Sequence, residues 1–248
     1  MKAMVFAAGL GDRLKPLTVK TPKALIPIAG RPMIEYPLLL LRHYGVREII
    51  INLHHLGGQI EAYLGDGAKF GLKIGYSKEE ELLDTGGGLL KAKPFLSDGP
   101  FIVINTDVLI DLPLAELIAF HERKKSTATL VLRPDERADQ FGSMEIDLDG
   151  RIERFLRARR PGASSSTGTK LMFTGVQILN PRVFDYMPSG EAPQKFSTTK
   201  DTYPRMLVEE EPLYGFRFEG LWRDLGTADR IREVEEGLSR GTTRLHYL

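Results

Sequence analysis

A short loop after the first apolar run concentrates glycines and cations. Residues 3–8 predict a buried strand, and the loop that follows carries Gly9, Gly11, Arg13 and Lys23. Glycine lets a backbone approach phosphate closely, while Arg and Lys neutralise its oxygens. The spacing fits neither the dinucleotide fingerprint, which needs a third small residue, nor the P-loop. We hypothesise a phosphate-rich ligand; a glycine turn with solvated cations is the alternative for this stretch alone.

Two aspartates, Asp107 and Asp224, follow apolar or aromatic strands further along the chain. Carboxylates that face phosphates commonly hold Mg²⁺, which takes a few protein oxygens and keeps water on its remaining positions. The alternative is that each Asp caps a turn or a helix. Ligands of parallel sheets bind beyond the carboxyl ends of strands, so we expect the first loop and Asp107 to face one crevice. Asp107 and Asp224 together therefore predict a Mg²⁺ site.

Alternating strands and helices must position these groups, and they predict an α/β fold with a largely parallel sheet. We predict strands at residues 3–8, 48–53, 72–76, 101–105, 127–133, 141–147, 151–155, 171–179 and 213–218. We predict helices at residues 32–44, 59–64, 89–95, 112–125, 181–186, 201–209 and 228–238. The glycine-rich residues 83–88 predict a break in regular structure, and residues 157–169 predict a mobile loop.

The composition narrows the classes of function. The chain has 248 residues, a formal net charge of +1 and no cysteine. Near-neutral charge argues against a broad nucleic-acid or membrane footprint, and the absence of cysteine excludes thiolate metal sites and cysteine nucleophiles. No segment predicts a signal peptide or a membrane span, so we expect a cytoplasmic globular protein. None of the five histidines lies in a metal-ligand spacing.

Further motifs continue in one order over nearly the whole chain: Ala7-Ala8-Gly9-x-Gly11-x-Arg13-Leu14-x-Pro16-Leu17-Thr18, Pro22-Lys23, Pro27, Gly30-x-Pro32-Met33-Ile34, Gly45, Thr85-Gly86-Gly87-Gly88, Asp107, Phe141-Gly142, Phe173-Thr174-Gly175 and Trp222-x-Asp224-x-Gly226-Thr227. Together they resemble the sugar-1-phosphate nucleotidylyltransferases. The resemblance implies a Rossmann-like, mixed, mostly parallel sheet flanked by helices, the nucleotide-diphospho-sugar transferase fold, with no C-terminal β-helix. It is strongest with the short N-acetylmuramate-1-phosphate uridylyltransferases, and mannose-1-phosphate guanylyltransferases come second.

The resemblance implies nucleotidyl transfer from an NTP, with UTP or GTP favoured, to a sugar 1-phosphate, with Mg²⁺ as cofactor. By this resemblance, Arg13 and Lys23 would act in catalysis, and Asp107 and Asp224 would bind the metal ion. The remaining implied residues bind the substrates: for the nucleotide Ala8, Gly9, Gly11, Gln59, Thr85 and Gly86, and for the sugar Gly142, Glu145 and Gly175. The chain would be a single domain, with residues 1–135 mainly binding nucleotide and residues 136–248 mainly binding sugar phosphate. We expect a monomer or small homo-oligomer, with neither nucleic acid nor membrane as partner.

One departure concerns the sugar side of the predicted site. Many relatives carry Glu-Lys-Pro where this chain reads Glu153-Arg154-Phe155. We therefore hypothesise that residues 157–169 form a lid whose arginines, or Lys170, replace the missing lysine. Two alternatives of other classes stay open: a catalytically silent sensor of nucleotide or sugar phosphate, and a cytidylyltransferase acting on a phosphorylated amino alcohol.

Overall fold

The structure is a computed structural model, and it describes residues 1–136, 138, 143–163, 170–190 and 194–248. The strands in chain order are β1 (Lys2–Phe6), β2 (Pro27–Ile28), β3 (Arg31–Pro32), β4 (Glu48–Leu53), β5 (Lys73–Lys78), β6 (Phe101–Asn105), β7 (Val108–Ile110), β8 (Ala128–Pro134), β9 (Met144–Ile146), β10 (Ile152–Phe155), β11 (Ala158–Arg159), β12 (Leu171–Leu179), β13 (Leu213–Arg217) and β14 (Trp222–Asp224). The α-helices are α1 (Glu35–His43), α2 (Gly57–Leu64), α3 (Asp84–Lys91), α4 (Lys93–Leu96), α5 (Leu114–Lys124), α6 (Tyr203–Val208) and α7 (Ala228–Ser239). None of the described helices combines the length and the apolarity that a membrane crossing requires.

The chain divides into two compact units, each made from separate stretches of sequence. The first comprises residues 1–82, 104–112 and 220–248, and the second comprises residues 83–103 and 113–219. The predicted single domain with a nucleotide half and a sugar half remains a prediction.

In the first unit, β1, β4 and β5 pair in parallel, in that order. Most of their apolar side chains are buried, and five consecutive residues of β4, Ile49 to Leu53, are almost inaccessible to solvent. Near-continuous burial is what a parallel strand covered on both faces requires. Helix α1 contributes Leu38, Leu40 and Leu41 to the same core. The parallel strands thus end in a common direction and present the loops that follow them at one edge.

A two-stranded antiparallel ribbon in this unit joins distant parts of the sequence. Strand β14 pairs antiparallel with β7, so Trp222 lies opposite Ile110 and Asp224 opposite Val108. A smaller ribbon pairs β2 with β3, with Pro27 opposite Pro32. The helix predicted at residues 32–44 therefore begins later, at Glu35, because Pro32 belongs to this ribbon.

In the second unit, β12 pairs antiparallel with β8 along most of its length, and β13 pairs in parallel with β8. Strands β9, β10 and β11 form an antiparallel set beside β12. The register between β12 and β8 shifts between Phe173 and Gln177, around Gly175, whose φ of +86° is a left-handed value that favours glycine. Buried Phe155 and Tyr203 pack edge to face in the core of this unit.

The predicted break at residues 83–88 is wrong, because α3 runs through the glycines. Here glycine provides close packing rather than a turn. A Cβ on Gly86 would meet the ring of Phe196 and would lie 2.8 Å from its carbonyl oxygen, and one on Gly87 would lie 2.8 Å from Leu83 Cβ. Tertiary packing therefore overrides the low helix propensity of glycine.

The predicted loop at residues 157–169 is also wrong at its start. Ala158 and Arg159 form β11, which pairs with β10 and closes a tight hairpin. Residue Leu156, with φ of +54°, lies in the turn. The Arg160 side chain donates hydrogen bonds to Glu153, so this arginine is tied to the hairpin. Residues 164–169 lie outside the described residues.

Candidate functional site

The loop after β1 folds back on itself around Gly11. The Thr18 hydroxyl donates a hydrogen bond to the Gly11 carbonyl at 3.0 Å. Gly11 has a φ of +70°, and a Cβ there would lie 2.7 Å from Thr18 Cγ2 and 3.1 Å from Lys23 Cβ. Only glycine meets both demands, of left-handed backbone and of close approach. The loop is therefore tightly packed at Gly11, which lies between Gly9 and the cations Arg13 and Lys23.

The start of the loop is fixed by a buried amide that the sequence analysis missed. The Ala7 N–H donates to Asn52 Oδ1 at 2.8 Å, and Asn52 Nδ2 donates to Glu79 Oε1 at 2.7 Å. Asn52 and Glu79 are both almost fully buried. A polar residue near the end of the apolar strand β4 was the available signal, because buried polar groups need partners.

Asp107 is placed beside this loop by the backbone. Thr106 donates both its N–H, at 3.2 Å, and its hydroxyl, at 2.6 Å, to the Phe6 carbonyl at the end of β1. The next residue, Asp107, accepts a hydrogen bond from Lys23 Nζ in a partly buried ion pair. The structure thus brings together Lys23 and Asp107, which the sequence analysis predicted for catalysis and for the metal.

Asp224 reaches the same region through the ribbon of β7 and β14. The Leu225 N–H donates to the Asp107 carbonyl at 2.9 Å, so Asp107, the residue before β7, lies beside the strand β14 that carries Asp224. Asp224 Oδ1 accepts from the Gly226 N–H at 2.7 Å. Asp224 Oδ2 forms an ion pair with Arg230 and lies 3.9 Å from Arg13 Nη1. Arg230, in the first turn of α7, is the second residue of the site that the sequence analysis missed.

These side chains form a mixed-charge cluster of three cations and two anions, listed here as Arg13, Lys23, Arg230, Asp107 and Asp224. With all five ionised, the cluster has one net positive charge. Solvent reaches all five side chains in part, and Arg13 is the most exposed at 57%. A cationic, solvent-accessible cluster beside a close-packed glycine loop can bind an anion with several oxygens.

The metal-binding role predicted for Asp107 and Asp224 rests on their carboxylate oxygens, which are the ligands that a hard divalent cation prefers. Among the described residues no group of three acidic or histidine side chains comes together. The backbone places Asp107, the residue before β7, beside the strand β14 that carries Asp224. Their role as a two-carboxylate metal site remains a prediction. Mg²⁺ is bound in this way when substrate phosphates and water supply its other ligands.

Gln59, predicted to bind nucleotide, lies beside the same loop. Its Nε2 donates to the Lys20 carbonyl at 3.1 Å, from an exposed position in α2. His55 Nε2 lies 3.3 Å from the Thr18 carbonyl. Two side chains near the end of β4 and the start of α2 thus support the outer part of the loop. Its inner residues differ in exposure: Ala8 is buried, and Gly9 is exposed with open space at its Cβ position.

The family model for nucleotidyl transferases matches residues 2–241. The chain belongs to this nucleotidyl transferase family. It is 35% identical to the N-acetylmuramate alpha-1-phosphate uridylyltransferase of Neisseria meningitidis, over 95% of this chain and 97% of that protein. It is also 35% identical to the UTP–glucose-1-phosphate uridylyltransferase of Synechocystis, over 97% of this chain. The Mycobacterium tuberculosis mannose-1-phosphate guanylyltransferase is 30% identical, over 96% of this chain. The chain spans 64% of the Synechocystis protein and 65% of the mycobacterial one.

Two solved structures share the fold of this chain. A Bacillus anthracis crystal structure, described as a glucose-1-phosphate thymidylyltransferase with sucrose, matches all of this chain with a TM-score of 0.81 at 21% identity. HddC of Yersinia pseudotuberculosis with GMP-PN matches 96% of this chain with a TM-score of 0.75 at 24% identity. The predicted α/β fold with a mixed, mostly parallel sheet is confirmed.

Two residues predicted to border the base belong to the second unit and are held there by its own chain. The Thr85 hydroxyl accepts a hydrogen bond from the Thr198 N–H at 3.0 Å. Gly86 donates its N–H to the Phe196 carbonyl at 2.9 Å. The start of α3 is therefore tied to residues 196–198. A nucleotide-binding role for Thr85 and Gly86 remains a prediction.

The predicted sugar-binding residues also lie in the second unit. Glu145 is buried and pairs with Arg154 at 2.9 Å, with Arg159 Nη2 at 3.7 Å from its other oxygen. Gly175 lies at the irregularity of β12 described above, and Gly142 lies outside the described residues. The sugar-binding role of all three remains a prediction.

Two arginines of the hypothesised lid, Arg159 and Arg160, have carboxylate partners. Glu153 is buried, and its hydrogen bond with Arg160 raises the pKa of that guanidinium above its usual range. Arg159 faces Glu145. These contacts argue against the hypothesis that both arginines are free to replace a phosphate-binding lysine.

Proposed function

We propose that this chain transfers a nucleotidyl group from an NTP to a sugar 1-phosphate, releasing pyrophosphate and forming an NDP-sugar. The observation that carries the proposal is the cluster in the first unit, where Lys23–Asp107 and Arg13–Asp224–Arg230 surround the end of the glycine loop. Family membership supports the reaction class. We propose uridylyl transfer to a hexose-type 1-phosphate such as N-acetylmuramate 1-phosphate, supported by the Neisseria relative that matches over nearly its full length.

The reaction asks for positioning and charge neutralisation rather than a covalent enzyme intermediate. An oxygen of the sugar phosphate attacks the α-phosphorus in line, forming one P–O bond while the bond to the β-phosphate oxygen breaks. In the proposed roles, the backbone from Ala8 to Gly11 holds the nucleotide phosphates. Lys23 neutralises the joining phosphates, and Arg13 neutralises the departing pyrophosphate.

Asp107 and Asp224 would hold Mg²⁺, which would supply positive charge to the phosphate oxygens. Lys23 and Arg230 are paired with these carboxylates. In the proposed reaction, both cations therefore lie where polyphosphate oxygens approach the aspartates. The proposed compartment is the cytoplasm, and a monomer or small homo-oligomer is the proposed assembly.

Guanylyl transfer to mannose 1-phosphate is the second candidate. The mycobacterial guanylyltransferase is 30% identical and matches 96% of this chain, which supports this alternative. A catalytically silent nucleotide or sugar-phosphate sensor is the third candidate. The joint presence of Arg13, Lys23, Asp107 and Asp224 favours the enzyme over the sensor.

A pyrophosphate-release assay of the full chain tests these candidates. Five nucleoside triphosphates (ATP, GTP, CTP, UTP and dTTP) would each be combined with the 1-phosphates of N-acetylmuramate, N-acetylglucosamine, glucose and mannose, in Mg²⁺ buffer. We expect the highest kcat/KM with UTP and N-acetylmuramate 1-phosphate. A maximum with GTP and mannose 1-phosphate would select the second candidate. No release with any pair, despite nucleotide binding by calorimetry, would select the sensor.

A further inference from the structure

Arg230 makes the closest charged contact of Asp224. Its guanidinium donates a hydrogen bond to Asp224 Oδ2, while the Arg13 guanidinium lies 3.9 Å from the same oxygen. The other oxygen, Oδ1, is held by the Gly226 N–H at 2.7 Å. Oδ2 is therefore the atom of Asp224 for which Arg230 and a bound cation would compete.

The position of Arg230 is unfavourable for the helix that carries it. Thr227 is the N-cap of α7, and its hydroxyl accepts from the Arg230 N–H at 3.5 Å. Arg230 is thus the third residue of the helix, where the capping-box pattern places Glu or Gln. A cation in the first turn also opposes the helix dipole. Helix stability does not account for this arginine, whereas the contact with Asp224 does.

The charge balance of the cluster depends on Arg230. Without it, the remaining cations Arg13 and Lys23 only neutralise the two aspartates. With it, the cluster keeps one positive charge. A guanidinium presents a fork of N–H donors that matches phosphate oxygens, and it can do so once its carboxylate partner is released.

We infer that Arg230 is an exchangeable counter-ion of Asp224. In this role it yields Oδ2 to a divalent cation and then binds the phosphate oxygens of the nucleotide or of pyrophosphate. The inference rests on the proposed function, because it supplies a phosphate ligand for the proposed nucleotidyl transfer. It makes two opposite predictions for one side chain: Arg230 weakens binding of the metal ion alone and strengthens binding of pyrophosphate in the presence of metal.

Mn²⁺ is a suitable probe, because free Mn²⁺ is measured directly by electron paramagnetic resonance. The Arg230→Gln variant keeps much of the side-chain stem and removes the charge. Without phosphate, we expect it to bind Mn²⁺ at least about threefold more tightly than the wild type. With saturating Mn²⁺, we expect calorimetry to show about tenfold weaker binding of pyrophosphate, as for loss of a charged hydrogen bond.

Two variants make the test specific. Arg232→Ala changes an exposed arginine on the same helix that pairs with Asp229, and both affinities should stay at the wild-type values. Arg230→Lys keeps the charge, so its Mn²⁺ affinity should stay near that of the wild type. This variant keeps the inference testable if Arg230→Gln folds poorly. Unchanged Mn²⁺ and pyrophosphate affinities in folded Arg230→Gln would overturn the inference. So would an increase in the Mn²⁺ affinity of Arg230→Lys as large as the one expected for Arg230→Gln.

The same preparations separate this inference from the proposed function. Pyrophosphate release by the wild type together with wild-type binding by Arg230→Gln would leave the proposed function intact and refute the role of Arg230. The expected binding changes without turnover of any substrate pair would refute the proposed function and support the role of Arg230 as a phosphate ligand.

Discussion

Asn52 accepts a hydrogen bond from the backbone N–H of Ala7 at 2.8 Å, and this bond joins the end of the parallel strand β4 to the start of the candidate phosphate loop. Glu79 holds the other end of the Asn52 amide at 2.7 Å. Both side chains are buried, so the amide has a single well-defined orientation. The chain therefore fixes the path of the loop at its origin through a side chain that need not touch any substrate.

Asn52→Ala should destabilise the fold and also loosen the loop. It leaves the buried Ala7 N–H without its acceptor and removes one hydrogen bond from Glu79, which costs about 1–3 kcal/mol. We expect a higher KM for the nucleotide and a smaller change in kcat, measured by initial rates together with urea unfolding. The Gln59→Ala variant, which removes an exposed contact to the loop, is the matched control for stability. An unchanged nucleotide KM in folded Asn52→Ala would show that this anchor is purely structural.

Asp107→Asn and Asp224→Asn should each lower turnover by at least about 100-fold, because each removes charge stabilisation at the reacting phosphates. Stability should change by about 1 kcal/mol or less, since both ion pairs are partly exposed. Pyrophosphate release and thermal melts measure the two effects. Asp229→Asn, an exposed aspartate on α7, provides the control. Wild-type kcat in both variants would refute the proposed metal site.

Gly226→Ala should impair catalysis through Arg13. A Cβ at this position would lie 2.7 Å from Arg13 Cζ and 2.7 Å from Asp224 Oδ1. The exposed Arg13 side chain would move away, and a displacement of about 1 Å can cost up to about 100-fold in rate. We expect a lower kcat with little loss of stability, compared with Gly58→Ala, where the added methyl meets open space. Equal kcat values for the two variants would argue against a catalytic position of Arg13.

Gly86→Ala should destabilise the second unit, because the methyl group would overlap Phe196. Overpacking of this kind costs about 1–3 kcal/mol. Gly58→Ala again serves as the comparison, because alanine in an uncrowded helical position is neutral or stabilising by up to about 1 kcal/mol. Chemical unfolding of both variants measures the difference. A stabilised Gly86→Ala would contradict the packing of α3.

His121 should make the fold sensitive to acid. Burial lowers its pKa to about 4, from 6.5, and its Nδ1 lies 2.9 Å from Thr129 Oγ1. Between pH 4 and pH 6.5, His121 binds more protons in the unfolded chain than in the folded one. Its contribution to the free energy of unfolding is therefore highest above pH 6.5 and falls as the pH drops. The loss attributable to this group reaches about 3 kcal/mol near pH 4.

The His121→Gln variant should flatten this dependence, because its amide does not titrate. Urea unfolding between pH 7.5 and pH 5 would measure the slope of the free energy of unfolding. His43→Gln changes an exposed histidine and should keep the wild-type slope. The same slope in all three proteins would exclude His121 as the acid-sensitive group.

The sequence predicted best the strands that are mostly apolar and buried. The bounds predicted for Glu48–Leu53, Phe101–Asn105 and Leu171–Leu179 are those of the structure. Such runs are buried whatever their neighbours, so local composition is enough. The start of helix α3 was missed because the packing that explains its glycines involves Phe196 and Gln194, which are remote in sequence.

The candidate site was predictable where residue type alone indicated chemistry. Arg13, Lys23, Asp107 and Asp224 carry their charge in loops or at strand ends, and the structure brings them together in the first unit. Asn52 was hidden in an apolar strand, and Arg230 in a helix where charged residues are ordinary. The one available sign for Arg230 was an arginine three residues after the capping Thr227.

The pairing of β7 with β14 has a consequence for biosynthesis. Lys23 and Asp107 emerge early from the ribosome, whereas Asp224 and Arg230 belong to the last stretch of the first unit. Contacts between residues so far apart in sequence form slowly and late. A nascent chain therefore carries an incomplete version of the proposed phosphate site until residues 220–248 have been translated, and the onset of pyrophosphate binding would mark the completion of the first unit.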